Sequence, residues 1–212
     1  MYKLYYSPGA CSMAVHAILN EINVPYETQE TDKAYRQSED FLKINPRGAV
    51  PVLVDDGFVI REGAAIISYL CDTHGFPHWP QSGHGRAACL QWLAYCNATL
   101  HTAYSKVFWL KAQALDEATM TQLCASACAT IQSCWDELNQ QLSHSAYLCG
   151  EQVCPADFLM TTIANWNQWM PTYPGCDIIL GDNVKRTCAA VSSRPSFQKA
   201  MQSESVTYKA AA

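Results

Sequence analysis

Hydrophobic and polar positions repeat with two different periods along this chain, and the change of period divides it. Up to His74 short strand-like runs alternate with helical stretches. Lys3–Tyr6 reads as a strand, Ser12–Asn20 as a helix with Met13, Ala14, Ala17 and Ile18 on one side, and Pro25–Thr28 as a weaker strand. Val50–Val54 and Phe58–Arg61 flank Asp55-Asp56-Gly57, a hairpin turn, and Gly63–Asp72 reads as a helix carrying Ala65, Ile66, Tyr69 and Leu70. The stretch before Val50 reads as irregular. Strand, helix, strand, then hairpin and helix predicts a mixed α/β unit.

Between His74 and Gly85 the periodicity stops and Gly75, Pro77, Pro80, Gly83 and Gly85 cluster, which predicts a linker. Beyond it only the helical period remains. Arg86–Lys111 carries Leu90, Leu93, Asn97, Leu100 and Tyr104 on one stripe, and Glu117–Leu142 carries Leu123, Ala127, Ile131, Cys134 and Leu138. Pro155–Met170 is a third helix, and Asp182–Val191 and Pro195–Met201 are shorter ones. The expected fold is therefore α/β plus all-α, with a helical bundle following the mixed domain. In Cys154-Pro155-Ala156-Asp157 the proline suits a first helical position. Cysteine is a poorer cap than serine or threonine, so this helix start should be weaker by about 1 kcal/mol.

The 212 residues suffice for one large or two small domains, and 49% hydrophobic against 16% charged content supports a well-buried core. A net charge of −5 without any basic run argues against nucleic acid as a partner. No basic-then-apolar leader begins the chain and no apolar stretch reaches the ~18–20 residues of a membrane span, so a cytoplasmic protein without a membrane partner is expected. Eleven cysteines would suit a secreted disulfide framework, but the count is odd and the chain long, so they are read as reduced. Cys124 and Cys128 lie one helical turn apart without a second ligand pair, so no metal is expected.

Candidate chemistry starts at Cys11, where the first strand turns through Ser7-Pro8-Gly9-Ala10 into a helix. Unpaired N–H groups at a helix start hold anions and lower a thiol's pKa, which makes Cys11 either a reactive thiol or a small buried hydrophobe. Tyr6, like Tyr5, adjoins that turn, and its hydroxyl can serve a thiolate or the core. Val50 precedes Pro51, a candidate cis bond whose backbone can pair with an extended ligand or merely open an edge strand. Glu62-Gly63 enters a helix, a place where N–H groups hold a carboxylate and the acid an amine, or where the acid only complements the helix dipole. His101 and Trp166 sit on apolar helical faces and carry no role by themselves.

Taken together, these segments resemble the cytosolic glutathione transferases, especially the bacterial beta class, over nearly the whole chain. The resemblance rests on Tyr5-Tyr6-Ser7-Pro8-Gly9-Ala10-Cys11-Ser12, Asn45-Pro46-Arg47-Gly48-Ala49-Val50-Pro51-Val52-Leu53, Glu62-Gly63-Ala64-Ala65-Ile66-Ile67-Ser68-Tyr69-Leu70 and Gly150-Glu151-Gln152-Val153-Cys154-Pro155-Ala156-Asp157. It implies a thioredoxin-like domain over 1–77, an all-helical domain over 84–212, and a homodimer. It further implies glutathione as co-substrate, Val50 and Pro51 meeting its cysteinyl part, and Glu62 and Gly63 its γ-glutamyl end. Cys11 is implied beside the glutathione sulfur, able to form a mixed disulfide, with His101 lining the same site and Trp166 near the groove.

This sequence departs from the family pattern at Gly63, where serine is common, at Ala94 and Thr102, where asparagine and lysine are common, and at Ala49. The cation for the glycine carboxylate is assigned to Arg36 or Lys33. The implied activity is conjugation of glutathione to hydrophobic electrophilic small molecules, in detoxification, with thiol-disulfide exchange through Cys11 beside it. The acceptor cleft is expected to be lined by Tyr104, Phe108 and Trp166. The alternative is a non-enzymatic regulatory protein on the same fold.

Overall fold

The computed structural model describes residues 1–210. The first half runs β1 (Tyr2–Tyr6), α1 (Ser12–Glu21), β2 (Tyr26–Glu30), α2 (Lys33–Arg36), α3 (Glu39–Ile44), β3 (Val52–Asp55), β4 (Phe58–Arg61) and α4 (Gly63–His74). The second is helical: α5 (Gly83–Ala94), a π-helical segment (Tyr95–Leu100), α6 (His101–Leu110), α7 (Glu117–Gln141), α8 (Pro155–Ala164), a 3-10 segment (Asn165–Thr172), α9 (Asp182–Ser192) and α10 (Pro195–Ser203).

The sheet order is β2-β1-β3-β4, with β1 parallel to β2 and antiparallel to β3, and β3 antiparallel to β4. The parallel pair requires a crossover, which α1 supplies. Alternation along β1 decides what each face meets: Leu4 and Tyr6 enter the core with Leu53, Ile66 and Leu70, while Tyr5 joins Val52 and Phe41 of α3 on the other face. This is the thioredoxin-like arrangement. α1 is buried from Ser12 to Leu19 because α4 and the sheet cover one side and α8 and α10 the other. A helix apolar all round belongs between two layers, and α1 is the element that joins the halves.

Three expectations change. The stretch read as irregular contains α2 and α3, each opened by a side-chain cap: Asp32 accepts from the Tyr35 N–H at 2.6 Å and Ser38 from that of Phe41 at 3.3 Å. The single helix read over 86–111 begins at Gly83 and passes through the π-helical segment. The helix read to Met170 stops at Ala164 and continues as a 3-10 segment containing Pro171, whose missing N–H and ring crowding disfavour a regular α-helix there. At the start of α8, Asp157 accepts from the Cys154 N–H at 2.8 Å and the Leu148 N–H at 2.9 Å, so its carboxylate makes the reciprocal arm of the cap.

The reading of every cysteine as reduced is also corrected. Cys128 of α7 and Cys176 form a disulfide across 48 residues with their Cα atoms 5.5 Å apart, while the other cysteines are free. The segment after the 3-10 turn folds back along α7, where Gln132 donates to the Ile179 carbonyl and accepts from its N–H, each at 2.9 Å. Replacing both Cys128 and Cys176 by serine is expected to lower stability by about 2–4 kcal/mol. Urea midpoints with and without reductant check this: reductant should weaken the parent chain and leave the double variant unchanged.

Candidate active site

The turn between β1 and α1 is held from both sides. Ser12 Oγ accepts from the Ser7 N–H at 3.2 Å, closing the loop on itself. Gly9, with φ +69°, adopts a backbone conformation that side chains disfavour, and it presents both its polar groups to the helical half. Its N–H donates to Glu204 Oε2 at 3.0 Å, and its carbonyl accepts from Trp166 Nε1 at 2.8 Å. The other Glu204 oxygen meets His16 Nδ1 at 2.9 Å, in a pair buried between α1 and α10.

Cys11 stands immediately before α1, beyond this turn, without making a side-chain cap. Its thiol is half-buried and donates to the Val50 carbonyl at 3.7 Å, and the Val50–Pro51 bond is cis. Burial pushes the thiol up to about 11, the N–H groups of Cys11 and Ser12 act the other way, and the Glu62 and Glu204 carboxylates add to the rise. The helix start therefore acts in the expected direction, and burial outweighs it.

Beside Cys11 lies a polar cavity of about 430 Å³, lined among others by Asn45, Arg47, Val50, Pro51, Glu62, Gly63, Asn97 and His101. Asn45 shapes its floor by donating to the Ala49 carbonyl at 2.8 Å and accepting from the Arg47 N–H at 3.3 Å. Arg47 Nη2 pairs with Glu62 Oε1 at 2.6 Å. Glu62 has φ +74°, so the residue entering α4 is held in a sparsely populated conformation at the cavity wall. A Cβ on Gly63 would come within 3.3 Å of Asn97 Oδ1, so the glycine gives Asn97 its place. Asn97 and His101 share a helix face across the π-helical segment, a feature common at functional sites.

A second, apolar cavity of about 410 Å³ lies on the other side of the thiol, lined by Phe108, Trp166, Trp169 and the Ser7–Ala10 turn. It shares Cys11, Ala49, Val50 and His101 with the first. Trp166 and Trp169 fall on one edge because residues three apart eclipse in a 3-10 segment. The His101 ring stands edge-on to Trp166 at 5.2 Å, and burial lowers its pKa against an opposing pull from Glu62.

Six of the predicted residues, Cys11, Val50, Pro51, Glu62, Gly63 and His101, thus meet around one cavity. Tyr6 does not join them: its strand position turns it toward α1, where its ring packs on His16 and its hydroxyl reaches Glu30 at 3.4 Å. Arg36 lines the apolar cavity and donates to the Thr31 carbonyl at 2.9 Å, while the cation of the polar cavity is Arg47. Tyr104 is buried behind Trp166 and accepts from Trp135 Nε1 at 2.7 Å, so it does not line the acceptor cleft. The helical stripe of the sequence gives Asn97 no role of its own, although a polar residue one turn before His101 is its local signal. Ala94, where the family pattern has asparagine, is exposed. Among the described residues no group of three or more His, Cys, Asp or Glu side chains is arranged to hold a metal.

The chain thus joins a thioredoxin-like domain to a helical bundle and sets a thiol where a polar and an aromatic cavity meet. Residues 2–79 match the family model described as glutathione S-transferase, N-terminal domain. Glutathione S-transferase GST-4.5 of Xanthomonas campestris is 31% identical over 166 residues, covering 77% of this chain and 81% of that protein. The structure of a glutathione S-transferase from Xylella fastidiosa superposes with a TM-score of 0.87 at 25% identity, over 98% of this chain and 100% of that one. BphK, a bacterial glutathione S-transferase solved as a ternary complex, gives 0.83 at 28% identity, over 96% and 100% of the two chains. The chain belongs to the glutathione S-transferase family. No helix among the described residues is long and apolar enough to cross a membrane.

Proposed function

We propose that the protein binds glutathione in the polar cavity and transfers it, through sulfur, to an electrophile in the aromatic cavity. The observation that carries this reading is that the two cavities share Cys11, Ala49, Val50 and His101 as their common wall. A γ-glutamyl end carries an amine and a carboxylate, and Glu62, Arg47 and the N–H groups opening α4 offer one partner for each. Cys11 stays protonated at neutral pH, and turning its S–H from the Val50 carbonyl toward the bound sulfur favours the thiolate there. His101, kept neutral by burial, offers a ring nitrogen to the departing proton. The thiolate attacks the electrophilic carbon, the carbon–sulfur bond forms, and the leaving group departs with its electron pair. Calorimetry at millimolar glutathione and a conjugation assay with 1-chloro-2,4-dinitrobenzene test the reading; absence of both heat and conjugate rejects it.

Glu62→Gln is expected to raise the KM for glutathione about tenfold with kcat little changed, since it weakens a charge-assisted contact made equally in ground and transition states. Steady-state kinetics with varied glutathione check it. The half-buried thiol supports a second activity, in which Cys11 attacks glutathione disulfide and expels one glutathione as thiolate. On the resemblance described above, the reading extends to a beta-class-like, homodimeric, cytoplasmic enzyme acting in detoxification.

A further inference from the structure

The loop between the 3-10 segment and α9 belongs to no helix or strand, and two contacts fasten it to α7. One is the Cys128–Cys176 disulfide, and the other is Gln132, which pairs with both backbone groups of Ile179. The second is a hydrogen-bonded contact, whereas the first is covalent and reversible. Both sulfurs lie one layer below solvent: the two cysteines are buried, but Pro174, Gly175 and Asp177 around Cys176 are exposed, as are Ala125 and Ala129 on α7. The loop begins at Tyr173, whose ring packs on Phe108 with centroids 6.3 Å apart. Tyr173, Phe108 and Trp169 border a third cavity of about 420 Å³, and Phe108 and Trp169 are also walls of the aromatic cavity beside Cys11. The disulfide thus stands three residues from an outer wall of the aromatic region, and the polar cavity takes no residue from this loop.

We infer that Cys128–Cys176 is a second thiol–disulfide site, opened by glutathione, and that its state decides whether Tyr173 is held as the outer wall of the aromatic region. The consequence for the acceptor rests on the transferase reading above, whereas the opening of the disulfide does not. A covalent contact that fastens a loop to the outside of a helix can open without unfolding the rest. After opening, Ile179 stays on Gln132 and the loop before it is released. Reduced Cys176 retains the Cys124 carbonyl, 3.6 Å from its sulfur, and an S–H is a weak donor. Glutathione supplies the reductant. One glutathione thiolate attacks the Cys176 sulfur, the S–S bond breaks, and Cys128 leaves with the bonding pair and takes up a proton. A second glutathione thiolate attacks the glutathione sulfur of this mixed disulfide. Glutathione disulfide forms, and Cys176 leaves as a thiolate that is protonated in turn.

The oxidised chain is incubated without denaturant in glutathione rising to about 10 mM, quenched with acid, and mapped by peptide mass. Cys128 and Cys176 should become free thiols over that range, with glutathione carried on Cys176 in the intermediate. A disulfide intact at the upper limit overturns the inference. In amide hydrogen exchange, residues 173–178 should exchange about tenfold faster in the chain reduced by a phosphine and in Cys128→Ser/Cys176→Ser, with α1 much less affected. Equal quickening in both places means a general loss of stability and overturns the local release. Unreactive 2,4-dinitrotoluene, followed without glutathione by quenching of tryptophan fluorescence, should bind the reduced chain and the double variant about threefold more weakly than the oxidised chain. S-methylglutathione, which has no thiol, should bind all three alike. Equal dinitrotoluene affinities overturn the role of Tyr173 as a redox-held wall. Failure of S-methylglutathione to bind any form counts against the transferase reading, while thiol mapping and exchange still decide the state of the disulfide.

Discussion

Iodoacetamide is expected to modify Cys11 about tenfold more slowly than free glutathione at neutral pH, with a rate still climbing above pH 10. Burial raises this thiol from 9.0 to about 11, so the thiolate fraction at neutral pH falls about a hundredfold. A more basic thiolate is also the better nucleophile, by roughly half a log unit per pKa unit, which returns about tenfold. Mass spectrometry of the Cys11 peptide across pH 6–11 reads the profile directly. On the proposed donor role, Cys11→Ala should keep conjugation within a few-fold and abolish the proposed mixed disulfide with glutathione. A plateau in the alkylation rate near pH 7, or a loss of conjugation beyond about a hundredfold in Cys11→Ala, means that Cys11 is itself the nucleophile and that the donor role is wrong.

The opposing influences on this thiol show where sequence reasoning ends. A helix start after Ala10 is a local property, visible in the residues themselves, and it acts as read. The burial that outweighs it is a tertiary property, set where the chain brings the Val50 carbonyl against the thiol, and leaves no trace near Cys11 in the sequence. The same division runs through the fold. Alternation of Leu4, Tyr5 and Tyr6 and the Asp55-Asp56-Gly57 turn are short-range signals, and the strands form where they point. Helices α2 and α3 are too short to show a period, yet Asp32 and Ser38 were readable caps. Cys176 lies in a segment with no periodicity, so nothing local related it to Cys128. In the site, Cys11, Val50 and Glu62 were legible because each belongs to a contiguous motif. Arg47 lies in the same motif as Val50, but its pairing with Glu62 depends on how the loop after Asn45 folds, and the place of Asn97 beside Gly63 depends on a π-helical segment that shifts the phase of the long helix, so neither role is readable locally.

Glu204→Ala is expected to be among the most damaging single substitutions, costing about 3–5 kcal/mol. Glu204 is buried, and its two oxygens serve the His16 ring and the Gly9 N–H. Removing the acid leaves both partners without an acceptor in a site closed to water. Glu204→Gln keeps one acceptor oxygen for Gly9 and should cost less. The pH dependence has a definite sign. Burial raises the Glu204 carboxyl above its ordinary value, against opposing pulls from His16 and the Gly9 N–H. A raised folded pKa means that folding takes up a proton between the ordinary and the raised values. The contribution of this group to stability is therefore full below the ordinary carboxyl range and declines as pH rises through the folded value. Denaturant midpoints across that window should show the decline in the parent chain and a flatter profile in Glu204→Gln. Since Gly9 is held between Glu204 and Trp166, loosening it displaces the turn that presents Cys11, and the KM for glutathione should rise in Glu204→Gln while the KM for the aromatic acceptor moves less. Unchanged glutathione kinetics in a folded Glu204→Gln protein would show that the buried pair stabilises the seam between the halves without positioning the thiol.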